Sequence, residues 1–316
     1  MTDLPLVGVL TPAYNEEAHV EECLESVLAQ THPNWRLVAV DNASEDRTFE
    51  IFQRYAAKDS RITVMRNPET VPIVANYNIA CRQLAPDAKF CKIIAADDWL
   101  YPTCLEEMVK LGIANPNVGL IGAYSRARGG VDPFRFPFPG DVVSGRDAMR
   151  EFLLNNTHLI GAPSPLMYRA DLVRSEERFF RNDTLHTDVD ACLRILAEHD
   201  YGFVQQVLTY TRDRPASMTA LADRFNVYLP NQIEFLINFG PSCFEEAECK
   251  RVLADRVRRY YNDLGGQVFR GRGKEYWDYH RRRLAELGRP LNEARLILNA
   301  LFFGAEAAVQ RMRRHL

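Results

Sequence analysis

Two adjacent carboxylates, Asp97 and Asp98, follow a run of apolar and β-branched residues in the segment KIIAADDWLYP, residues 92–102. Neighbouring negative charges repel each other, so a strand end that carries both favours a bound positive charge. Hard divalent cations take oxygen ligands, and Mg²⁺ or Mn²⁺ commonly bridges one or two carboxylates to substrate phosphates. The pair therefore predicts a Mg²⁺ or Mn²⁺ site at this strand end.

Short apolar runs alternate with helical patterns through the first half of the chain. Strands are predicted at 5–11, 35–41, 61–66 and 90–96, and helices at 16–30, at 46–58, up to residue 84 and at 102–114. This alternation is typical of an α/β fold in which helices cover both faces of a parallel sheet. Ligands of such sheets bind outside the carboxyl ends of the strands. Polar residues lie at three of these ends, at 11–16, 41–46 and 97–98, so we expect them to meet in one crevice.

Beyond residue 117 the strand and helix patterns become weaker. The proline- and phenylalanine-rich stretch 131–141 is predicted to be an exposed aromatic loop. Two further strands at 163–169 and 201–212 and a helix at 187–199 complete the predicted α/β domain. After Ser217 the pattern is helical throughout, which predicts an α/β domain over 1–216 and a helical region over 217–316.

The composition argues against several classes of protein. The net charge is −3 over 316 residues, whereas a dedicated nucleic-acid binder is usually basic. The seven cysteines are an odd number without a C-x-x-C pair, so they indicate neither a disulfide framework nor a zinc site. The N-terminal residues show no basic leader, and no stretch reaches the roughly 18 apolar residues of a membrane-spanning helix. We therefore expect a cytoplasmic protein that is not integral to a membrane.

The turn after the first predicted strand, TPAYNEE, contains no glycine. Dinucleotide-binding folds use G-x-G-x-x-G here and P-loop proteins use G-x-x-x-x-G-K-[ST], because glycine lets the backbone approach phosphates. A nucleotidyltransferase on a similar sheet, which is an alternative function, usually needs a glycine- and lysine-rich first loop as well. In place of such a loop, the cation at the carboxylate pair is expected to bind the substrate phosphates.

Four motifs occur in order along the chain: PAYN at 12–15, SVLAQT at 26–31, DNASED at 41–46 and AADDWLYP at 95–102. They resemble the inverting family 2 glycosyltransferases with the GT-A fold, and TDVDACLRI at 187–195 resembles a later block of that family. The resemblance covers residues 5–125 closely and 160–219 more loosely. It implies transfer of a hexose or related sugar from a nucleotide-diphosphate sugar, with UDP-sugar expected, to an acceptor hydroxyl with inversion. By family habit the acceptor is a cell-surface polysaccharide or a lipid-linked saccharide.

The resemblance places Thr11, Pro12, Ala13 and Tyr14 against the nucleotide. Asp41 ends the second predicted strand, where a carboxylate can accept a hydrogen bond from the N3–H of uracil or thymine. Cytosine has an acceptor at N3 and would be refused. Simpler roles remain open, because Asp41 could open an Asx turn, Tyr14 could pack, and Thr11 could be an ordinary strand residue.

Within the carboxylate pair, the resemblance assigns Asp97 to the ribose and Asp98 to the metal ion. That ion would neutralise charge on the diphosphate as the glycosidic bond breaks. The alternative is that both acids cap the helix predicted to begin near Pro102, since a helix N-terminus favours negative charge.

The general base of the family corresponds to Asp188. Thr187 and Asp190 resemble a capping box, which places Asp188 in a first helical turn and assigns Asp190 to capping. A carboxylate in a first turn is stabilising in its own right, so a purely structural role for Asp188 also remains open.

One position departs from the family pattern. Many relatives carry R-x-H-x-x-S-x-T after the last strand, whereas RDRPASMT puts Arg214 at the histidine position. A charged arginine cannot bind a metal ion, but its guanidinium can hold phosphate oxygens bidentately. A solvated surface arginine is equally consistent. In ANYNIA at 75–80, Asn76 or Asn78 is a candidate nucleotide contact, although capping or packing explains either one as well.

A second function class is an inactive relative that binds nucleotide sugars as a scaffold. The intact carboxylates at positions 41, 98 and 188 argue against it. The arginine at position 214 keeps it open.

Basic residues are concentrated near the C-terminus. Residues 271–316 contain ten Lys or Arg against five Asp or Glu, a local net charge of +5 that leaves −8 for the rest of the chain. The stretch LILNALFFGAEAAV at 296–309 has a wide apolar helical stripe flanked by arginines. This pattern suits a helix on an anionic membrane surface, and equally a helix packed on the catalytic domain or on the second copy of a homodimer.

Overall fold

The computed structural model describes residues 4–127, 129–131, 136–157, 159–181, 186–212 and 224–313, with side chains of the last helix described as far as Phe303. The chain divides into two compact units, Met1–Arg214 and Pro215–Leu316. Of the described residues, those of the first unit form an α/β structure and those of the second form helices. The predicted boundary near 216 lies among residues outside the described ranges.

The first unit is built on one sheet. Its described strands are β1 Val7–Ala13, β2 Trp35–Asp41, β3 Ile62–Arg66, β4 Phe90–Ile93, β5 Trp99–Leu100, β6 Val118–Ala127, β7 Gly130–Val131, β8 Val142–Val143, β9 Leu166–Arg169 and β10 Asp200–Tyr210. The order is β3-β2-β1-β4-β9-β6-β10-β5, with β7 on β6 and β8 on β10. The pairs β1–β2, β1–β4, β2–β3 and β6–β10 are parallel, whereas β9 runs antiparallel to both β4 and β6. The predicted α/β class with a mainly parallel central sheet is confirmed.

Helices connect the strands of this unit. They are α1 Val20–Leu28, α2 Thr48–Ala56, α3 Ile73–Arg82, α4 Cys104–Ala114, α5 Gly145–Asn155, α6 Ala170–Arg174 and α7 Thr187–Leu196. Every residue of β1 is buried, as expected for a strand covered on both faces. The apolar stripe of α1 packs into the same core through Val20, Cys23, Leu24 and Val27.

One predicted strand was too long, and one observed strand was not predicted. The fourth strand ends at Ile93 rather than at 96, so a turn separates it from the carboxylate pair. Strand β6 was not predicted because Gly119 and Gly122 weaken its β pattern. Tight packing accounts for both glycines: a Cβ on Gly119 would lie 2.7 Å from His199, and one on Gly122 would lie 2.1 Å from the hydroxyl of Tyr201.

The stretch 131–141 is not wholly an exposed loop. Val131 belongs to β7, and Phe136 is buried with its ring stacked on Phe203 at a centroid distance of 4.5 Å. Helix α5 was also missed, although its start carries a recognisable signal. The hydroxyl of Ser144 caps it by accepting the backbone N–H of Asp147.

The second unit contains α8 Tyr228–Cys243, α9 Glu246–Val268, α10 Lys274–Glu286 and α11 Glu293–Arg313. Its core gathers Ile233, Tyr260, Leu264, Leu284 and Leu296 among other side chains. None of the helices within the described ranges is long and apolar enough to cross a membrane. All seven cysteines of the chain are free thiols.

Candidate active site

The first two strands bring their predicted residues side by side. In the parallel register of β1 and β2, Thr11 lies opposite Ala39 and Ala13 lies opposite Asp41. Thr11 is fully buried, whereas Tyr14, just beyond the strand, is 43% exposed. The aromatic ring of Tyr14 is therefore accessible beside the strand ends, as a ring that stacks on a base must be.

Hydrogen bonds join the loops that follow β1 and β2. The backbone N–H groups of Asn15, Glu16 and Glu17 donate to Ser44, Thr48 and Asp46, at 3.0, 2.7 and 2.9 Å. Burial acts to raise the pKa of Asp46, but hydrogen bonds from Thr48 and from the Glu17 backbone outweigh it and lower that pKa. The two neighbouring loops are thus held together at this edge of the sheet.

Asp41 has one carboxylate oxygen engaged and one unengaged. Its Oδ2 accepts the backbone N–H of Ser44 at 3.1 Å and lies 3.2 Å from Nε of Arg66, at the end of β3. Its Oδ1 is buried and finds no hydrogen-bond partner among the described residues. A buried carboxylate oxygen without a donor is costly, so this atom is suited to receive a donor from a ligand. The Asx-type turn therefore leaves Oδ1 available to a ligand.

Arg66 was not predicted as a site residue. Its guanidinium also donates to the carbonyl of Ser44 and lies over the ring of Phe49. These contacts fix the carboxylate of Asp41 from the third strand. The rule that ligands lie at carboxyl ends of strands could have found it, because Arg66 is the last residue of β3.

The two candidate asparagines of α3 both make hydrogen bonds within the protein. Asn76 is buried and accepts a hydrogen bond from Asn67, which also donates to Asn42 in the loop after β2. Asn78 bonds both backbone groups of Phe180. Both side chains therefore pack in the framework, and a nucleotide contact of Asn76 stays a prediction.

The carboxylate pair lies between β4 and β5. Asp98 is 4% exposed, and its Oδ1 accepts the backbone N–H of Arg212 at 2.9 Å. The guanidinium of Arg212 donates to the carbonyl of Asp97 and pairs with Glu22 at 2.5 Å. A contact from the end of β10 therefore orients the predicted metal ligand.

The capping alternative for the pair is wrong. Helix α4 begins at Cys104 with Thr103 at its N-cap, and no side chain caps it. Arg214, the proposed phosphate contact, lies outside the described residues.

Asp188 lies in the first turn of α7, as predicted, and its Oδ1 accepts its neighbour's backbone N–H at 2.8 Å. Burial raises the pKa of Asp188, although the nearby His186 acts against this shift. The capping role predicted for Asp190 is wrong. No side chain caps α7, and Asp190 instead pairs with Arg194 at 3.0 Å, one helical turn later.

The three carboxylates act on a common neighbour, Tyr77 of α3. Burial raises the pKa of the Tyr77 hydroxyl, and the negative charges of Asp98, Asp97 and Asp188 shift it further in the same direction. Such electrostatic coupling requires these groups to lie near one another. Each of the three carboxylates therefore lies within electrostatic range of Tyr77.

The side chains present fit a divalent cation that arrives with a diphosphate. Across the described ranges, no three His, Cys, Asp or Glu side chains are grouped to form a metal cage. Mg²⁺ is commonly held by one or two carboxylates together with substrate phosphates and needs no such cage. The buried Asp98 and its neighbour supply hard oxygen ligands of that kind.

A buried lysine lies beneath this site. Lys92 of β4 is fully buried, and its ammonium donates to the backbone carbonyls of Ser164 and Leu166 at 2.5 and 3.0 Å. Ser164 in turn accepts the backbone N–H of Ala95, two residues before the carboxylate pair. Burial lowers the pKa of Lys92, and the nearby Asp98 opposes that shift. This cation links β4 to the segment before β9.

Replacing Lys92 with methionine is expected to destabilise the protein, because two buried carbonyls lose their donor at about 1–3 kcal/mol each. The exposed Lys89 provides a matched control, since Lys89→Met should change the free energy of unfolding by less than about 0.5 kcal/mol. Urea denaturation of both variants measures the difference. An equally small effect of the two substitutions would contradict a structural role for the buried ammonium.

Comparisons with known proteins agree with this fold. "Putative teichuronic acid biosynthesis glycosyltransferase TuaG" of Bacillus subtilis (strain 168) is 46% identical over 151 residues, which are 48% of this chain and 59% of TuaG. Two solved structures share the fold. S. aureus TarS 1-349 in complex with UDP has a TM-score of 0.65 at 18% identity, covering 88% of this chain and 78% of that one. Mannosyltransferase PcManGT from Pyrobaculum calidifontis, in complex with GDP-Man and Mn²⁺, has a TM-score of 0.54 at 17% identity, covering 95% and 87%.

The family model described as "Glycosyl transferase family 2" matches residues 8–175. The match spans more than half of the chain and includes β1 to β4 with the strand-end residues described above. The chain belongs to glycosyl transferase family 2.

Proposed function

We propose that this protein transfers a sugar from a UDP-sugar to an acceptor hydroxyl with inversion at the anomeric carbon. The observation that carries the proposal is the buried Oδ1 of Asp41, which has no hydrogen-bond partner among the described residues. Because β1 pairs in parallel with both β2 and β4, Asp41 and the carboxylate pair follow strands that end at the same edge of the sheet, where an α/β sheet binds its ligands.

Asp41 supports a uracil base. The N3–H of uracil donates to the unengaged Oδ1, while Ser44 and Arg66 hold the other oxygen. Cytosine would place its N3 lone pair against the carboxylate and leave both acceptors without a proton. Tyr14, partly exposed beside this carboxylate, supplies a ring for stacking on the base.

Asp98 would hold Mg²⁺ or Mn²⁺ together with the diphosphate, and Asp97 would contact the ribose. The cation would supply charge neutralisation for the departing UDP. Asp98 is oriented for this by the backbone N–H of Arg212. Because β10 and the carboxylate pair are joined in this way, the ligand geometry is fixed before a donor arrives.

Asp188 serves as the general base. As the acceptor oxygen forms its bond to the anomeric carbon, the bond from that carbon to the diphosphate oxygen breaks and UDP leaves. The hydroxyl proton passes to the carboxylate of Asp188. The raised pKa of this buried carboxyl makes it a better proton acceptor than an exposed aspartate.

The proposed acceptor is a saccharide in the synthesis of a cell-surface polysaccharide or glycolipid. The name of TuaG refers to teichuronic acid biosynthesis, and TuaG is 46% identical to this chain over 151 residues. The TarS and PcManGT complexes hold a nucleotide or nucleotide sugar on the same fold, which supports a nucleotide-sugar donor.

The proposal is tested by incubating the protein with Mn²⁺, a panel of UDP-sugars and simple glycoside acceptors, and measuring released UDP. The wild-type protein should release UDP from at least one donor, and Asp188→Asn should not. Tight binding of UDP without release from any donor would support an inactive scaffold instead.

Replacing Asp41 with asparagine is expected to weaken UDP binding by about 10- to 100-fold, the range for a lost hydrogen bond to a charged group. The asparagine amide has one accepting oxygen and one donating NH₂ group. In one orientation the NH₂ group faces the donors of Ser44 and Arg66, and in the other it faces the N3–H of uracil, so two donors oppose each other in both cases. CDP should lose less affinity, because N3 of cytosine can accept from the amide. Calorimetric titration with both nucleotides measures this change in preference.

Asp46→Asn is the matched control, with the same substitution in the same loop. It should leave the ratio of UDP to CDP affinity unchanged, because Asp46 bonds Thr48 and the Glu17 backbone rather than a ligand. If Asp41→Asn kept the wild-type ratio, Asp41 would not be the residue that reads the base.

A further inference from the structure

The last helix of the second unit, α11, has two apolar faces. One face is docked, since Leu296 and Ala300 are buried. A Cβ on Gly265 of α9 would lie 2.9 Å from the backbone nitrogen of Ala300, so this glycine permits a close crossing of the two helices. The Phe303 ring stacks with Phe269 at a centroid distance of 6.3 Å. Among the described side chains of α11, this face is therefore the one that packs on the second unit.

The other face of α11 points outward. Ile297, Leu298, Leu301 and Phe302 are 58–67% exposed, and their spacing places them on one side of a helix. Val268 and Phe269, at the end of α9, are exposed as well. Together these six side chains are called the outer apolar patch. Contiguous groups of exposed apolar side chains are uncommon on soluble proteins, and where they occur they usually mark an interaction site.

A cavity of about 480 Å³ opens within the patch. It is lined by Val268, Phe269, Trp277, Arg281, Leu296, Ile297, Ala300 and Leu301. The lining is apolar except for the arginine at its edge. Such a depression accepts hydrocarbon rather than a polar ligand.

Arginines border the patch. Arg270 is exposed directly after Phe269, and Arg281 is an exposed residue of the cavity lining that pairs with Glu293 and Asp278. Residues 271–316 carry the local net charge of +5. An apolar face bordered by arginines matches the boundary of a bilayer, where acyl chains meet anionic headgroups.

We propose that the outer apolar patch binds an anionic lipid surface, with α11 lying in the plane of the interface. This goes beyond the proposed function, because it concerns where the protein is held rather than what it transfers. A second copy of the chain is a poorer occupant. A symmetric contact through this patch would bring the bordering arginines of both copies together, and like charges at an interface oppose association.

The test is flotation of the full-length protein with vesicles. One set contains phosphatidylglycerol in phosphatidylcholine, and the other contains phosphatidylcholine alone. The wild-type protein should float with the anionic vesicles and less with the neutral ones. The double variant Leu298→Glu, Leu301→Glu should lower the bound fraction by about tenfold or more, because charge in the acyl region is costly. Arg270→Gln should give a smaller loss.

Ile113→Glu in α4 is the matched control, because Ile113 is a comparably exposed aliphatic residue of the first unit. It should float like the wild-type protein. Calorimetry with UDP should give the same affinity for the double variant as for the wild type, so that a failure at the membrane is separable from a failure of the proposed function. Unchanged melting temperatures would show that each variant is folded.

Three results would overturn the proposal. They are absence of wild-type flotation on anionic vesicles, equal flotation on neutral ones, and a concentration-dependent dimer that the double variant abolishes without any vesicle binding. The last would identify a second copy as the occupant, and analytical ultracentrifugation would detect it.

Discussion

Replacing Asp188 with asparagine should lower turnover by roughly 10²- to 10⁴-fold, the usual contribution of a positioned general base. The amide keeps the shape of the side chain and can still accept the backbone N–H of Val189, but it cannot take a proton. Affinity for UDP should stay the same, because Asp188 faces the acceptor in the proposed reaction. Steady-state kinetics and calorimetry on the same preparation measure the two quantities.

The same substitution should not reduce stability at neutral pH. Burial raises the folded-state pKa of Asp188 above its unfolded value, so the ionised carboxylate opposes folding. This free-energy cost of ionisation is absent at pH values below the pKa of the unfolded state. It is fully present at pH values above the pKa of the folded state. Asparagine removes it, and the melting temperature of Asp188→Asn should equal or exceed that of the wild type at pH 7. A residue kept at the expense of stability is typical of a functional site.

Asp190→Asn provides the control two residues away in the same helical turn. It breaks the ion pair with Arg194 and should lower the melting temperature while leaving turnover near that of the wild type. If Asp188→Asn were instead less stable with near-native turnover, Asp188 would be only a favourable first-turn carboxylate.

Replacing Asp98 with asparagine should abolish the enhancement of UDP binding by Mn²⁺. The amide oxygen can still accept the backbone N–H of Arg212, so the turn is kept while the metal-facing oxygen is replaced by NH₂. Losses of 10- to 100-fold in metal affinity are usual even for outer contacts of metal sites, and a direct ligand should lose about that much or more. Calorimetry with UDP at several Mn²⁺ concentrations measures the effect.

Asp97→Asn separates the two carboxylates. It should weaken UDP binding but keep its dependence on Mn²⁺, because Asp97 is assigned mainly to the ribose. Undiminished Mn²⁺ dependence in Asp98→Asn would mean that Asp98 is not the ligand.

The parts of the site that follow from local sequence were predictable. Strands β1 and β2 are short apolar runs, and the polar residues after them fall at one edge of the sheet because parallel strands end together. The position of Asp41 at the end of β2 and the position of Asp188 in the first turn of α7 were predicted in this way. The roles of Asp41, Asp98 and Asp188 stay predictions.

The parts that depend on distant contacts were not predictable. Asp98 is oriented by the backbone of Arg212, a residue 114 positions later. The ammonium of Lys92 is hidden in an apolar strand, where pattern reasoning expects no charge. Strand β6 was missed because tertiary packing at Gly122 overrides local β propensity.

The most direct measurement is a calorimetric titration of the wild-type protein with UDP and with CDP, each with and without Mn²⁺. These nucleotides share ribose and diphosphate and differ only in the base, so their comparison isolates the contact with Asp41. UDP should bind more tightly than CDP by about tenfold or more, and Mn²⁺ should strengthen binding of both through the diphosphate. Equal affinity for the two bases, or binding of UDP that is indifferent to Mn²⁺, would contradict a metal-assisted UDP-sugar site at these strand ends.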